Sequence, residues 1–114
     1  MWVLGLSMTP CRKLVRDRIP EIIAVAGDAC KTRILDDVEY RAELLKKLTE
    51  EAAEVLRTNG DKDELIKELA DVLEVLEYII LAHGVRRDDI ERVHMERKAS
   101  RGGFEKKIFL EYTE

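Results

Sequence analysis

Two short acidic motifs carry the chemistry in this 114-residue chain. The first is Glu50-Glu51-Ala52-Ala53-Glu54 and the second is Glu68-Leu69-Ala70-Asp71. Glu51 and Glu54, like Glu68 and Asp71, are spaced i, i+3, so on a helix both carboxylates of a pair share one face about a turn apart. One such pair in a Glu-rich chain is an ordinary solvated face. These two differ in their neighbours. Glu68 projects among Val72, Val75 and Ile79, and Glu51 projects beside Leu48 and Val55. A carboxylate in an apolar arc is costly unless it is paired or bound to a cation, and like charges at i, i+3 repel. The 13 residues between Glu54 and Glu68 fit a hairpin turn, which would bring the two pairs to one place. A hard divalent cation resolves the conflict. Carboxylate oxygens suit Mg²⁺, which keeps some of its waters and bridges to phosphates. Softer metals are disfavoured, because His83 and His94 lie away from the acids and have no metal-binding spacing.

The elements that must position these residues are helices. Asp36 and Asp37 are N-cap candidates for a run from about Val38 to Thr58, where Leu44, Leu45, Leu48, Ala52, Val55 and Leu56 form one stripe. Asn59-Gly60 stops it. Asp61 or Asp63 caps a second run that reaches Gly84, with apolar residues from Leu65 to Leu81 over more than half its circumference. One partner helix cannot cover so much, which predicts packing against another subunit. Before the hairpin, Lys13 to Ile19 reads as an extended entry to a short helix from Glu21 to Ala26, with Pro20 in its first turn and Gly27 as its stop. Lys31 to Leu35 reads as extended. After the hairpin, Asp88 or Asp89 caps a polar helix from about Ile90 to Ser100, ended by Arg101-Gly102-Gly103, and Phe104 to Tyr112 is a tail suited to crossing a partner. The expected fold is all-α: a hairpin of two long antiparallel helices with flanking helices, assembled as an oligomeric bundle. Residues 1–12 read as an N-terminal extension, with Met8 as an alternative start, and 13–114 as one domain.

Composition narrows the classes. Gly and Pro are scarce and aromatics are only 5%, against a turn-rich sandwich or barrel. Charged residues at 39% and apolar ones at 46% exclude a weakly hydrophobic disordered chain. Acids outnumber bases 24 to 20, so a broad basic field for a nucleic acid polymer is missing. Cys11 and Cys30 have no framework spacing and read as reduced thiols. The apolar start lacks a basic n-region and is too short for a signal core or a membrane span, so the expectation is a cytoplasmic protein without membrane contact.

The motifs resemble a known family. Glu51-x-x-Glu54 followed by Glu68-x-x-Asp71 is similar to the EExxE…ExxD signature of all-α nucleoside triphosphate pyrophosphohydrolases, including MazG-like enzymes and phosphoribosyl-ATP pyrophosphohydrolase. The run from Lys13 to Ile23, with Arg16-Asp17-Arg18-Ile19-Pro20 inside it, resembles a house-cleaning branch related to phosphoribosyl-ATP pyrophosphohydrolase, as does Lys98-x-x-Arg101-Gly102-Gly103-Phe104. The resemblance covers about residues 13–111. It implies a homodimer or homotetramer and Mg²⁺-dependent hydrolysis of a nucleoside triphosphate to the monophosphate and pyrophosphate. It further implies Glu51, Glu54, Glu68 and Asp71 as metal ligands. Glu50 matches the first of the doubled acids, with two roles open: binding a second metal or orienting the attacking water.

Phosphates also need cations. Lys98 and Arg101, i, i+3 near the end of the last helix, are the expected phosphate contacts, and Arg16 with Asp17 is expected to shape the pocket from the N-terminal side. Trp2 and Tyr78 are aromatic candidates for base stacking, against which stand disorder for Trp2 and a packing or interface role for Tyr78. Two other functions compete with nucleotide house-cleaning. One is the phosphoribosyl-ATP pyrophosphohydrolase step of histidine biosynthesis. The other, of a different class, is a non-catalytic helical module for nucleotide sensing or oligomerisation.

Overall fold

The computed structural model describes residues 11–114; Trp2, Met8 and the remainder of the 1–10 stretch lie outside the described residues. Four helices follow one another: α1 (Ile19–Val25), α2 (Asp37–Arg57), α3 (Lys62–Ala82) and α4 (Arg87–Arg101), with no strand among the described residues. No helix among them is long and apolar enough to cross a membrane.

The hairpin of α2 and α3 is built by local rules. Asp36 is extended and its carboxylate accepts from the Glu39 amide at 2.8 Å, satisfying one of the orphan donors at the start of α2. Asp61 does the same for the Glu64 amide at 3.1 Å at the start of α3. Between them the Thr58 hydroxyl donates to the Val55 carbonyl at 2.8 Å, and the chain reverses through left-handed Asn59 (φ 50°) and Gly60 (φ 85°). Asn and Gly are the residues that adopt this conformation at least cost.

The shielded positions of the hairpin recur at alternating steps of four and three: Leu44, Leu48, Glu51 and Val55 on α2, and Leu65, Glu68, Val72, Val75 and Ile79 on α3. That is the seam of a coiled-coil-like pair. Its best-buried members are Leu44, 4% exposed, and Val75, 8% exposed. They stand equally far from the Asn59–Gly60 turn on either side, and so do Glu51 and Glu68. The register that matches Leu44 to Val75 therefore also matches the two glutamates.

The flanking helices depart from expectation at their starts. Helix α1 begins at Ile19, with Pro20 inside its first turn as anticipated, and ends before left-handed Gly27. Helix α4 begins at Arg87 after Arg86, which offers no side-chain cap. Asp88 and Asp89 instead occupy its first turn, where their charge faces the positive end of the helix dipole. Residues 31–35 form no regular structure, and Arg33 forks onto Glu39 at 2.8 and 3.1 Å.

Among the described helices, α2 and α3 are the one pair in extended contact. The radius of gyration is 19.3 Å, against about 13 Å for a compact chain of this length. The outer face of α3, with Ile66, Leu69, Leu73 and Leu76, is left uncovered, Leu73 being 64% exposed. The tail after α4 is equally bare, with Phe109 86% exposed. With so little interior, each seam residue weighs heavily. Leu44→Ala is expected to cost about 2–4 kcal/mol, and loss of the cap in Asp61→Ala about 1 kcal/mol, in urea denaturation at fixed protein concentration.

Candidate metal centre

The seam glutamates and Asp71, one turn beyond Glu68, bring their carboxylates together: one oxygen from each of Glu51, Glu68 and Asp71 lies within 4.8 Å of the others. The hairpin register is the cause, since it sets Glu51 across from Glu68. No other group of three or more Asp, Glu, His or Cys side chains among the described residues gathers in this way.

Electrostatics show the strain of the arrangement. Burial pushes the Glu51 carboxyl above its usual range, and the charge of Asp71 pushes it further. Lys47 opposes both, while Glu68 and Glu54 add to the rise. The Glu51 side chain is 14% exposed and its nearest cation, Lys47 Nζ, stands 4.0 Å away, nearer to Glu50 at 3.4 Å. Three carboxylates therefore share a half-buried site with too little positive charge on that side. All donors are oxygens and no imidazole or thiolate joins them, a set suited to a hard cation such as Mg²⁺, Mn²⁺ or Ca²⁺.

The other residues singled out from the sequence fall into three places. Glu54 pairs with Arg57 and lies outside the cluster of three, though its charge is felt at Glu51. With Glu50 it lines an open groove of about 650 Å³ along the outer side of α2, whose wall also carries Lys13, Lys46, Thr49, Ala53 and Arg57. Arg16 reaches α3, where it donates to Asp71 at 2.8 Å and to Glu74 at 3.3 Å. Asp17 and Tyr78 both add to the rise of the Tyr40 phenol pKa, whose main cause is burial. Lys98 and Arg101 sit in the last turn of α4, a helix without extended contact to the hairpin, and neither forms an ion pair with the cluster.

Sequence reasoning passed over Lys47, Glu74 and the basic wall of Lys13, Lys46 and Arg57. Lys47 carried a usable signal, being four residues before Glu51 on the same face.

A carboxyl with a raised folded pKa binds its proton more readily in the folded chain than in the unfolded one. That advantage is full at low pH and is lost as pH rises from the unfolded carboxyl range through the raised folded value. At neutral pH, ionised Glu51 thus destabilises the cation-free chain. Glu51→Gln is expected to raise cation-free stability at pH 7 by about 0.2–0.5 kcal/mol, the size of a relieved like-charge pair, and to lose that gain below about pH 4. With millimolar Mg²⁺ the order in thermal melts should reverse, because the parent then gains a ligand that the variant binds less well.

Comparison with known proteins bears on this geometry. Residues 30–98 match the family model described as phosphoribosyl-ATP pyrophosphohydrolase, a span that contains both acidic motifs and the whole hairpin. A protein of Mycolicibacterium smegmatis described as uncharacterized is 47% identical over 55 residues, which is 48% of this chain and 55% of that protein. The chain thus spans about half the length of that curated relative. No solved structure matches.

Proposed function

The chain belongs to the phosphoribosyl-ATP pyrophosphohydrolase family, and from that premise we propose that it is a Mg²⁺-dependent nucleoside triphosphate pyrophosphohydrolase that clears unwanted nucleotides. One observation carries the reading: Glu51, Glu68 and Asp71 converge on the hairpin seam, where burial and the neighbouring acids raise the Glu51 carboxyl although Lys47 and Arg16 stand at either side.

The residues fit the roles this reaction requires. Glu51, Glu68 and Asp71 would hold the cation, with Glu54 one turn along α2 from Glu51 and available once it leaves Arg57. When bound, such a cation neutralises phosphate charge and acidifies water. The groove beside α2 presents Lys13, Lys46 and Arg57 to a polyanion, and its volume falls in the range of small-molecule sites. In the reaction, the oxygen of water bonds to the α-phosphorus, the bond from that phosphorus to the α–β bridging oxygen breaks, and pyrophosphate leaves with the electron pair. Phosphoryl transfer of this kind asks the protein mainly for positioning and charge neutralisation. Glu50, held on the groove wall by Lys47 at 3.4 Å, is placed to accept the proton that the water gives up.

The uncovered face of α3 and the bare tail support a second part of the proposal, a homodimer or homotetramer. Ile66, Leu69, Leu73 and Leu76 form a stripe of the kind that marks an interface. Lys98 and Arg101 act as phosphate contacts in this reading only across such an interface, because they do not reach the cluster of their own chain. Light scattering should give the mass of two or four chains, and Leu73→Glu with Leu76→Glu should lower it.

The family match favours one specific rival, phosphoribosyl-ATP as the substrate within histidine biosynthesis. A panel of nucleoside triphosphates and phosphoribosyl-ATP, each with Mg²⁺, separates the two by comparing kcat/KM. Pyrophosphate release is expected from the panel, with Glu68→Gln slower by at least about 100-fold. A clear preference for phosphoribosyl-ATP, with rescue of a histidine auxotroph lacking that step, would select the rival. Nucleotide binding without turnover would leave a sensing module.

A further inference from the structure

One side chain ties the segment before α1 to the acidic cluster. Arg16 Nη2 donates to Asp71 Oδ1 at 2.8 Å and Arg16 Nη1 donates to Glu74 Oε2 at 3.3 Å. The guanidinium fork is spread over two carboxylates of α3, a geometry that Lys cannot reproduce with its single point charge. Asp71 is at the same time one of the three carboxylates that converge at the centre. A divalent cation on Asp71, about 2 Å from its oxygen, and the guanidinium would then share one carboxylate, and their like charges repel at that range.

We propose that Arg16 is an exchangeable counter-ion of the metal centre. It neutralises Asp71 while no cation is bound, yields the carboxylate when a divalent cation enters, and then turns its fork to the phosphates of the incoming nucleotide. This rests on the metal-centre reading given above.

Three observations support the exchange. The pair is substantially exposed on both sides, so it is weakly held and easily given up. The segment has few other ionic ties, since Arg18, two residues on, pairs locally with Glu21 rather than with the hairpin. Lys13, three residues before Arg16, lines the groove that also holds Glu50 and Glu54. The stretch 13–16 therefore runs from the groove on α2 to Asp71 on α3. A guanidinium released there has a planar fork that matches phosphate oxygens.

Calorimetry with Mn²⁺ on the full chain tests the proposal, with Arg18→Gln as a control that removes the same charge from the same segment. Arg16→Gln is expected to bind Mn²⁺ roughly two- to fivefold tighter than the parent, as fits loss of a weak exposed competitor, and Arg18→Gln is expected to match the parent. Hydrogen exchange of the Ile19 amide, which donates to the Arg16 carbonyl at 3.0 Å, should speed up in the parent when Mn²⁺ is added, a readout that a static charge effect would not move. At saturating Mn²⁺, Arg16→Gln should bind a non-hydrolysable nucleoside triphosphate about tenfold more weakly, in keeping with one lost charge-assisted contact. Equal or weaker Mn²⁺ binding by Arg16→Gln, or unchanged exchange of the Ile19 amide, would overturn the role of Arg16 while leaving the metal centre standing. Absence of Mn²⁺ binding in the parent as well would remove the metal centre and the role of Arg16 with it.

Discussion

Mutual repulsion among three carboxylates at a helix–helix seam is the constraint on which the rest of this structure depends. A seam position is where a two-helix hairpin earns its stability from apolar contact, and here two of those positions, Glu51 and Glu68, are charged. Nothing in the hairpin's own packing favours that choice. Burial and the charge of Asp71 both raise the Glu51 carboxyl, and Lys47 only partly offsets them. Such a cluster costs folding stability, the kind of local conflict that marks functional sites, and the proposed function would use it as a preformed set of oxygen ligands.

That constraint explains the demands on the surrounding elements. Two strong N-caps, Asp36 and Asp61, and a tight Asn59–Gly60 reversal hold the register that sets Glu51 against Glu68. A slip by one turn would separate the glutamates and unmatch Leu44 from Val75 at the same time, so apolar packing guards the register of the charged pair. Leu44 and Val75 lie away from the turn, on the far side of the cluster from it. The acids are thereby fixed between a rigid reversal and the best-packed level of the seam. Counter-charge then comes from two directions: Lys47 within α2 at the Glu51 side, and Arg16 from the N-terminal segment at the Asp71 side.

The hairpin was legible in the sequence because every signal that made it is local. Caps, a helix stop and a 3.6-residue period act over a few residues, and they set α2 and α3 to within a residue or two of the expected limits. The convergence of Glu51, Glu68 and Asp71 was legible for the same reason, since it follows from the hairpin. Glu54 is different. It shares the motif spacing, but on the helix it turns toward Arg57 and the groove, and spacing alone does not choose between those faces. The start of α4 misled because two aspartates in a row fit both a cap and a first turn. The contact of Arg16 with Asp71 was beyond reach: the two are far apart in sequence, both are exposed, and an apolar pattern says nothing about where a surface arginine lands. The position of α4 was equally hidden, because this polar helix has no broad apolar stripe to direct its packing.

The same reasoning gives the acidic surplus of the chain a second meaning. Most of its 24 carboxylates are exposed and act as solvating charge, often paired at i, i+3 with a lysine or arginine as in Glu43–Lys46 and Glu64–Lys67. Such pairs add little to stability. The carboxylates at the seam are distinguished by having no such neighbour at contact distance on α2: the closest, Lys47, is nearer to Glu50 than to Glu51. A net negative chain is a poor partner for a polyanion through its overall field, and the field of this chain is negative. Under the proposed function, a cation held by the seam would invert that sign locally, while Lys13, Lys46 and Arg57 line the groove beside α2. On that proposal, charge at the scale of the whole chain and charge at the scale of the site would point in opposite directions, and the site scale is the one that a small phosphorylated ligand would meet.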